Sequence, residues 1–380
     1  IFTYTLYPGL STSWTTIQVH DCEFSEDTPT AAPTLVRIWI FVMILLRRVF
    51  RPLRAQPKIQ MVHLQSSLST TASTTHDASG DSQYEDYNKT SATYDKYRGP
   101  IDAGTFLTTF AEVAQRLNVP QQELSLLDAG CGSGNHLKQF ESDVGTVSGV
   151  EINDGMISKC RMKLPDADIQ QGSITDLPVG TASVDVVITT QVLHHLETGQ
   201  DQSFPNVVLA ANEVFRCLRP GGSWIIQTQT PEQHVSGFWW APVVPYAAQE
   251  LSTRFAPMQT FEEICRGAGF DQFNSVVPDE PLVRLDKYLD LEGPFTQGFR
   301  NADSTWSLAT EDELEKGLAM LREKIESGEA QAWLNEREQL RAQIGQTTTV
   351  VATKRKGTGS ISNGRKKFPF ARSLSFGKTF

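Results

Sequence analysis

The chain has 380 residues, 39% of them hydrophobic, and a formal net charge of −10, which is enough for one large α/β domain with additions and a substantial buried core. Residues 1–27 carry four acids and no Lys or Arg, residues 28–76 six bases and no acid, and residues 354–380 eight bases and no acid, leaving −20 on residues 77–353. So acidic a body disfavours a nucleic-acid partner, whose phosphates need a positive surface, and the five cysteines, widely spaced and without Cys-x-x-Cys, suggest neither a disulfide framework nor a metal site.

Residues 1–85 are read as lying outside the fold, a disordered, targeting or upstream segment. Within them, residues 38–46 form an apolar run bracketed by Arg37 and Arg47–Arg48. A bilayer-spanning helix needs about 20 such residues, so no transmembrane span is expected. The run suits the apolar core of a signal sequence, and the acid-free, Ser/Thr-rich stretch that follows has the character of a transit peptide to a plastid or mitochondrion. The competing expectation is a cytoplasmic protein starting at Met61, with an upstream region translated before it.

Order is expected to begin near Tyr87, and Ala103, Phe106, Leu107, Phe110, Val113, Ala114 and Leu117 then recur at helical spacing. Strands are predicted at 124–129, 146–150, 167–171, 184–189 and 223–229 with helices between them. Such alternation implies a parallel sheet covered on both faces. Ligands then bind at the carboxyl ends of the strands, beside the first one. The helix carrying Val208, Ala211, Val214, Phe215 and Leu218 is expected to stop at Pro220-Gly221-Gly222. A helix at 261–268 leads to a strand near 271–277, and a last strand is predicted at 347–353. The roughly 70 residues between these strands must hold structure of their own. Thr310 and Glu313 form a capping box for a helix bearing Leu314, Leu318, Leu321 and Ile325, and a second helix carries Trp333, Leu340 and Ile344 to Gly345. This pair is read as a lid, an oligomer contact or an embellishment, and the basic residues 354–380 as a disordered tail.

The most informative stretch is Leu126-Leu127-Asp128-Ala129-Gly130-Cys131-Gly132-Ser133-Gly134-Asn135, an apolar strand running into an acid and three alternate glycines before a helix. Glycines let the backbone turn sharply and approach a ligand closely, and the helix start offers free N–H groups. A dehydrogenase would carry Gly-x-Gly-x-x-Gly; the spacing here differs. Glu151 ends the next strand about 20 residues on, where nucleoside-binding folds place a ribose partner.

Asp-x-Gly-x-Gly-x-Gly, followed in order by Thr146–Glu151, Gln171–Pro178, Ser183–Leu196 and Leu218–Gly222, resembles the successive motifs of the class I S-adenosylmethionine-dependent methyltransferases, of the small-molecule type 11 domain, from about Tyr94 to Ala352. The resemblance implies a Rossmann-like seven-stranded sheet with helices on both faces: a core at 86–277, a helical insertion or cap at 278–346 and a last strand at 347–353. It implies S-adenosyl-L-methionine as cofactor, held by Asp128, Gly130, Gly132, Gly134, Glu151, Ser173, Ile174 and Gln191, with no metal. Ser173 stands where the family usually has an acid for the adenine amino group, so that contact passes to its hydroxyl or to the Ile174 N–H, while Asp176 reads as a turn residue.

The activity implied is in-line methyl transfer to a small-molecule acceptor, in which alignment and exclusion of water matter more than acid–base groups. His194 and His195 stand where an acceptor should lie, as general bases or as packing and capping residues. Tyr94 would turn its ring toward the sulfonium. Arg98 would pair with an acceptor carboxylate or with a surface acid. Trp239 and Trp240 would wall the acceptor pocket with His234 as a polar handle, or pack beneath the lid. The absence of Asn/Asp-Pro-Pro-Tyr at Gln191 disfavours an adenine or glutamine side chain as acceptor. O- or N-methylation with a histidine base, S-methylation of a small thioether or thiol acid such as a methylthio-hydroxy acid without one, and a non-catalytic cofactor-binding protein remain open. Oligomeric state is not legible.

Overall fold

The computed structural model describes residues 95–356. The expectations for residues 1–94, Tyr94 included, and for residues 357–380 lie outside the described residues. Among the described residues no helix is long and apolar enough to cross a membrane.

Helix α1 (Ala103–Leu117) precedes strand β1 (Ser125–Ala129); α2 (Asn135–Phe140), β2 (Thr146–Glu151), α3 (Asp154–Lys163) and β3 (Asp168–Gln171) follow. Then come β4 (Val184–Thr190), α4 (Pro205–Cys217), β5 (Leu218–Thr228), α5 (Pro231–Ser236), α6 (Pro245–Ser252), α7 (Met258–Ala268) and β6 (Gln272–Val276). Three short helices, α8 (Leu285–Tyr288), α9 (Gln297–Arg300) and α10 (Thr305–Leu308), and two long ones, α11 (Glu311–Glu326) and α12 (Ala330–Ile344), precede β7 (Thr348–Thr353).

The strands form one seven-stranded sheet in the order β3-β2-β1-β4-β5-β7-β6. The first five run parallel, and β7 is antiparallel to both β5 and β6. In β4 all but the last residue are buried, as a central parallel strand covered on both faces requires. Alternate residues feed two cores: Val187, Trp224 and Ile226 pack with Phe261 and Phe270, while Val186, Ile188 and Ile225 pack with Phe106, Phe110 and Phe140. Buried Asp185 pins three strands at the end remote from the glycine loop, accepting from the Ser125 N–H at 2.9 Å and from Arg219 Nη1 at 2.9 Å.

Two local expectations need correction. Helix α4 ends at Cys217, and Pro220-Gly221-Gly222 lies inside β5, where the pairing with β4 shifts between Val184 and Val186. Proline has no N–H for the ladder and is tolerated at such an irregularity, so the tripeptide marks a bulge. The buried stripe of α4 is Val207, Ala210, Ala211, Val214 and Cys217, with Val208 exposed. The start of this helix is set by Pro205 and by Glu197, which accepts from the Asn206 and Val207 N–H groups at 2.9 and 3.0 Å.

The segment between β6 and β7 builds a third core with the β5–α6 connection, centred on Trp239, Trp240, Tyr288, Phe299, Trp306, Leu321 and Leu334. Thr310 caps α11 by accepting from the Glu313 N–H at 3.2 Å. Glu313, itself buried, accepts from the Tyr246 and Ala247 N–H groups at 2.7 and 3.2 Å. A carboxylate against the first turn of α6 satisfies N–H groups that have no partner within the helix. Glu313→Ala is therefore expected to lower unfolding stability by about 1–3 kcal/mol, seen as a fall in melting temperature of roughly 2–4 °C per kcal/mol. An unchanged thermal melt would contradict this role.

Candidate active site

The site starts where β1 stops. The Gly130 and Cys131 N–H groups both donate to the Val150 carbonyl, at 2.8 and 3.0 Å, hooking the glycine loop onto β2. Gly130 has φ 89°, and a Cβ there would sit 2.5 Å from Val192 Cγ2. Gly132 has φ 51°, and a Cβ there would meet nothing within 4 Å. The first glycine is thus required by its neighbour, and the second presents bare backbone to open space. The Gly132 N–H donates to Glu151 Oε2 at 2.9 Å, while Glu151 Oε1 accepts from the Ile152 and Asn153 N–H groups, also at 2.9 Å. A carboxylate has about four acceptor positions, so Glu151 retains capacity for a further donor.

Asp128 lies beneath this loop between β2 and β4 and is 1% exposed. Its Oδ1 has no hydrogen-bond partner among the described residues. Burial, reinforced by Cys160 and Glu151, pushes its carboxyl well above the usual range. Above it is a cavity of about 60 Å³ lined by Gly130, Gly132, Ser133, His136, Thr190, Gln191 and Arg98 among others. Burial also lowers His136 to about 4.

Asp95 closes one side of the loop. It accepts from Ser133 Oγ at 2.6 Å, Asn135 Nδ2 at 3.0 Å and Lys163 Nζ at 3.0 Å. Burial works against its ionised form, yet the Ser133 hydroxyl and Lys163 hold its carboxyl below the usual range. Sequence reasoning singled out neighbouring Tyr94 and Arg98 and passed over Asp95 and Lys163. Nothing local marks them, because their partners lie far along the chain.

Arg98 and Gln191 also line a second, smaller cavity of about 20 Å³, with His194, His195, His234, Phe255 and Asp303. Gln191 has φ 56°, and its N–H donates to the Gln227 carbonyl at 2.8 Å, which fixes it at the junction of the two spaces. Its Oε1 accepts from Gln229 Nε2 at 3.4 Å; its Nε2 is buried without a partner among the described residues. Arg98 Nε donates to the Ala302 carbonyl at 2.6 Å and Nη2 to Asp303 Oδ2 at 3.1 Å, while Nη1 is buried without a partner among the described residues. The pair therefore joins residues from opposite ends of the domain in the interior, and Asp303 had no signal in the sequence.

Two of the three histidines flank Phe255, and the third stands against one of them. His194 stacks on the Phe255 ring at 4.7 Å and His234 at 5.1 Å, and His195 lies 4.0 Å from His194. His234 places Nδ1 2.6 Å from Gln229 Oε1 and Nε2 3.3 Å from Thr305 Oγ1. Burial, aided by the neighbouring cations, pushes His194 well below the usual imidazole range and His195 down to about 3; burial takes His234 to about 4. All three are neutral near pH 7.

Other expected site residues stand elsewhere. The Ser173 hydroxyl shares a hydrogen bond of 2.7 Å with Thr175 Oγ1, and the Ser173 carbonyl accepts from the Asp176 N–H at 3.1 Å, closing a turn. The side chain of Ile174 packs into the core. Trp239 and Trp240 correct the expectation of a pocket wall: both are fully buried in the third core, with Trp240 at 5.3 Å from Tyr288 and 5.4 Å from Phe299. Phe255 and Leu251 line the second cavity in their place. An aromatic pair reads the same in sequence whether it faces a ligand or a core, since burial of its large apolar surface drives both.

Residues 127–226 match the methyltransferase domain family, the stretch that holds the glycine loop, Glu151, Gln191 and the histidine pair. This stretch is similar to the class I S-adenosylmethionine-dependent methyltransferases. A probable S-adenosylmethionine-dependent methyltransferase of Mycolicibacterium smegmatis is 31% identical over 159 residues, 42% of this chain and 56% of that protein. The dTDP-3-amino-3,4,6-trideoxy-alpha-D-glucopyranose N,N-dimethyltransferase of Streptomyces venezuelae is 30% identical over 118 residues, 31% of this chain and 44% of that protein. The chain thus spans about half the length of these relatives. The crystal structure of a candidate methyltransferase from an antibiotic biosynthesis pathway of Anabaena variabilis shares the methyltransferase fold, with a TM-score of 0.50 at 19% identity over 64% of this chain and 96% of that one.

The buried position of Asp128 makes a pH-dependent prediction. Its raised pKa means the folded protein keeps a proton that the unfolded chain releases in the ordinary carboxylate range. The group therefore subtracts from stability as pH climbs above that range. Asp128→Asn removes the penalty, so the melting temperature of the variant relative to wild type is expected to rise between pH 4 and pH 7. A difference that does not change with pH would contradict the burial of an unpaired acid there.

Proposed function

We propose that the protein transfers the methyl group of S-adenosylmethionine to a small-molecule acceptor. The observation that carries this reading is the meeting of two cavities at Gln191 and Arg98, one against the glycine loop and one among the histidines. The donor fits the first on physical grounds: bare backbone at Gly132, spare acceptor capacity on Glu151 and an unpaired acid beneath suit a cationic nucleoside. When bound, it supplies an electrophilic methyl carbon on a sulfonium.

In this reading Glu151 accepts from the ribose hydroxyls, and the backbone of Gly130, Gly132 and Gly134 gives room to the amino-acid end. Asp128 offers its unpartnered carboxyl oxygen from below, and Ser173 and Ile174 take the adenine. Gln191 separates donor from acceptor. Closure of the second cavity by Ala302, Asp303 and Ser304 keeps water from the reacting atoms.

A second feature bears on the nucleophile. A general base works best with a pKa near the operating pH, and His195 and His234 lie at about 3 and 4. They favour an acceptor atom that arrives with its lone pair free, which supports S-methylation of a small thioether over transfer to an alcohol.

Incubation of the full chain with methyl-labelled S-adenosylmethionine and a metabolite extract is expected to place label in a small molecule, identifiable by mass spectrometry. The rate is expected to stay flat from pH 6 to 8, since the histidines protonate only well below that window. Donor binding without label transfer would favour a non-catalytic binding protein, and a rate limb in the usual histidine range would overturn the base-free reading.

A further inference from the structure

Within the second cavity, the buried polar atoms left without partners have a common character. Arg98 Nη1 and Gln191 Nε2 are both N–H donors; neither can accept a hydrogen bond. A buried donor left unsatisfied costs about 1–3 kcal/mol, so such a set is complementary to an acceptor-only ligand group. Charge points the same way. The guanidiniums of Arg98 and Arg254 both act on His195, opposed by Asp303.

We infer that the acceptor carries a carboxylate, received by Arg98 Nη1 and Gln191 Nε2 beneath the Ala302–Ser304 roof. This rests on the methyl-transfer reading of the site. Two N–H donors match two carboxylate oxygens, and the planar guanidinium suits that geometry. The same chemistry has a second source, the carboxylate of the methyl donor itself, because Arg98 and Gln191 also border the glycine-loop cavity. The acceptor is favoured because Arg98 Nε and Nη2 are drawn toward Ala302 and Asp303, which line only the histidine-lined cavity of these two.

The test uses the full chain, with propionate as probe and propionamide as its neutral isostere, read by thermal shift with and without saturating S-adenosylhomocysteine. Propionate is expected to raise the melting temperature and propionamide not to. Gln191→Met and the double variant Arg98→Met/Asp303→Asn should abolish the propionate shift. The double variant removes both charges of the buried pair together, and the side-chain oxygen of the introduced amide can still accept from the Thr305 N–H that Asp303 holds at 3.0 Å, so folding is preserved. S-adenosylhomocysteine affinity, measured by calorimetry, should change less than threefold in the double variant. Equal shifts from propionate and propionamide, or a propionate shift that survives both variants, would overturn the inference. So would a tenfold loss of S-adenosylhomocysteine affinity with unchanged binding of 5′-methylthioadenosine, which lacks the amino-acid end; the cation would then serve the donor. A wild type that takes propionate yet gives no heat with S-adenosylhomocysteine keeps the carboxylate site and discards the methyl-transfer reading.

Discussion

The site depends on the carboxylate at the end of β2 holding the backbone of the glycine loop. Glu151 takes the Gly132 N–H, and one residue earlier the Val150 carbonyl takes those of Gly130 and Cys131. Three successive N–H groups are thereby fixed by the neighbouring strand, and the loop has its shape without any ligand. Such preorganisation matters because a loop that had to be ordered on binding would subtract that entropy from affinity. Asp128 is the reverse case: it weakens the fold where it sits, with one carboxylate oxygen unpaired in the interior. Destabilising placement of this kind concentrates at functional positions.

The residues between β6 and β7 extend this frame into a histidine-lined chamber. Their aromatic core around Trp239, Trp240 and Tyr288 is a foundation, and the contact made with the chamber is the short stretch Ala302–Ser304. Arg98 fastens that stretch to the segment that, through Asp95, also clasps the glycine loop. The roof is therefore linked to the glycine loop through the four residues 95–98. The neutral histidines add packing and directed lone pairs to the chamber, with little capacity to take up a proton.

Much of this was legible in the sequence where the signal is local or periodic. The βαβ alternation, the alternate glycines, Glu151 at its offset and the Thr310 cap each follow from short-range rules, and the sheet of seven strands with β7 antiparallel agrees with them. What escaped is of two kinds. Pairs such as Asp95 with Lys163 and Arg98 with Asp303 join distant residues with no pattern between them, so only the folded chain reveals them. Residues such as Trp239, Pro220 and Val208 carry a real signal with two readings, and tertiary packing chooses: core over wall, bulge over helix stop, exposed over buried face.

Calorimetric titration of S-adenosylhomocysteine into wild type and Glu151→Gln tests the central claim most directly. A hydrogen bond to a charged group contributes about 1.5–3 kcal/mol. Binding by wild type and a loss of roughly tenfold to a hundredfold in the variant is the predicted result. No binding by wild type, or equal affinity in the two proteins, would contradict the account.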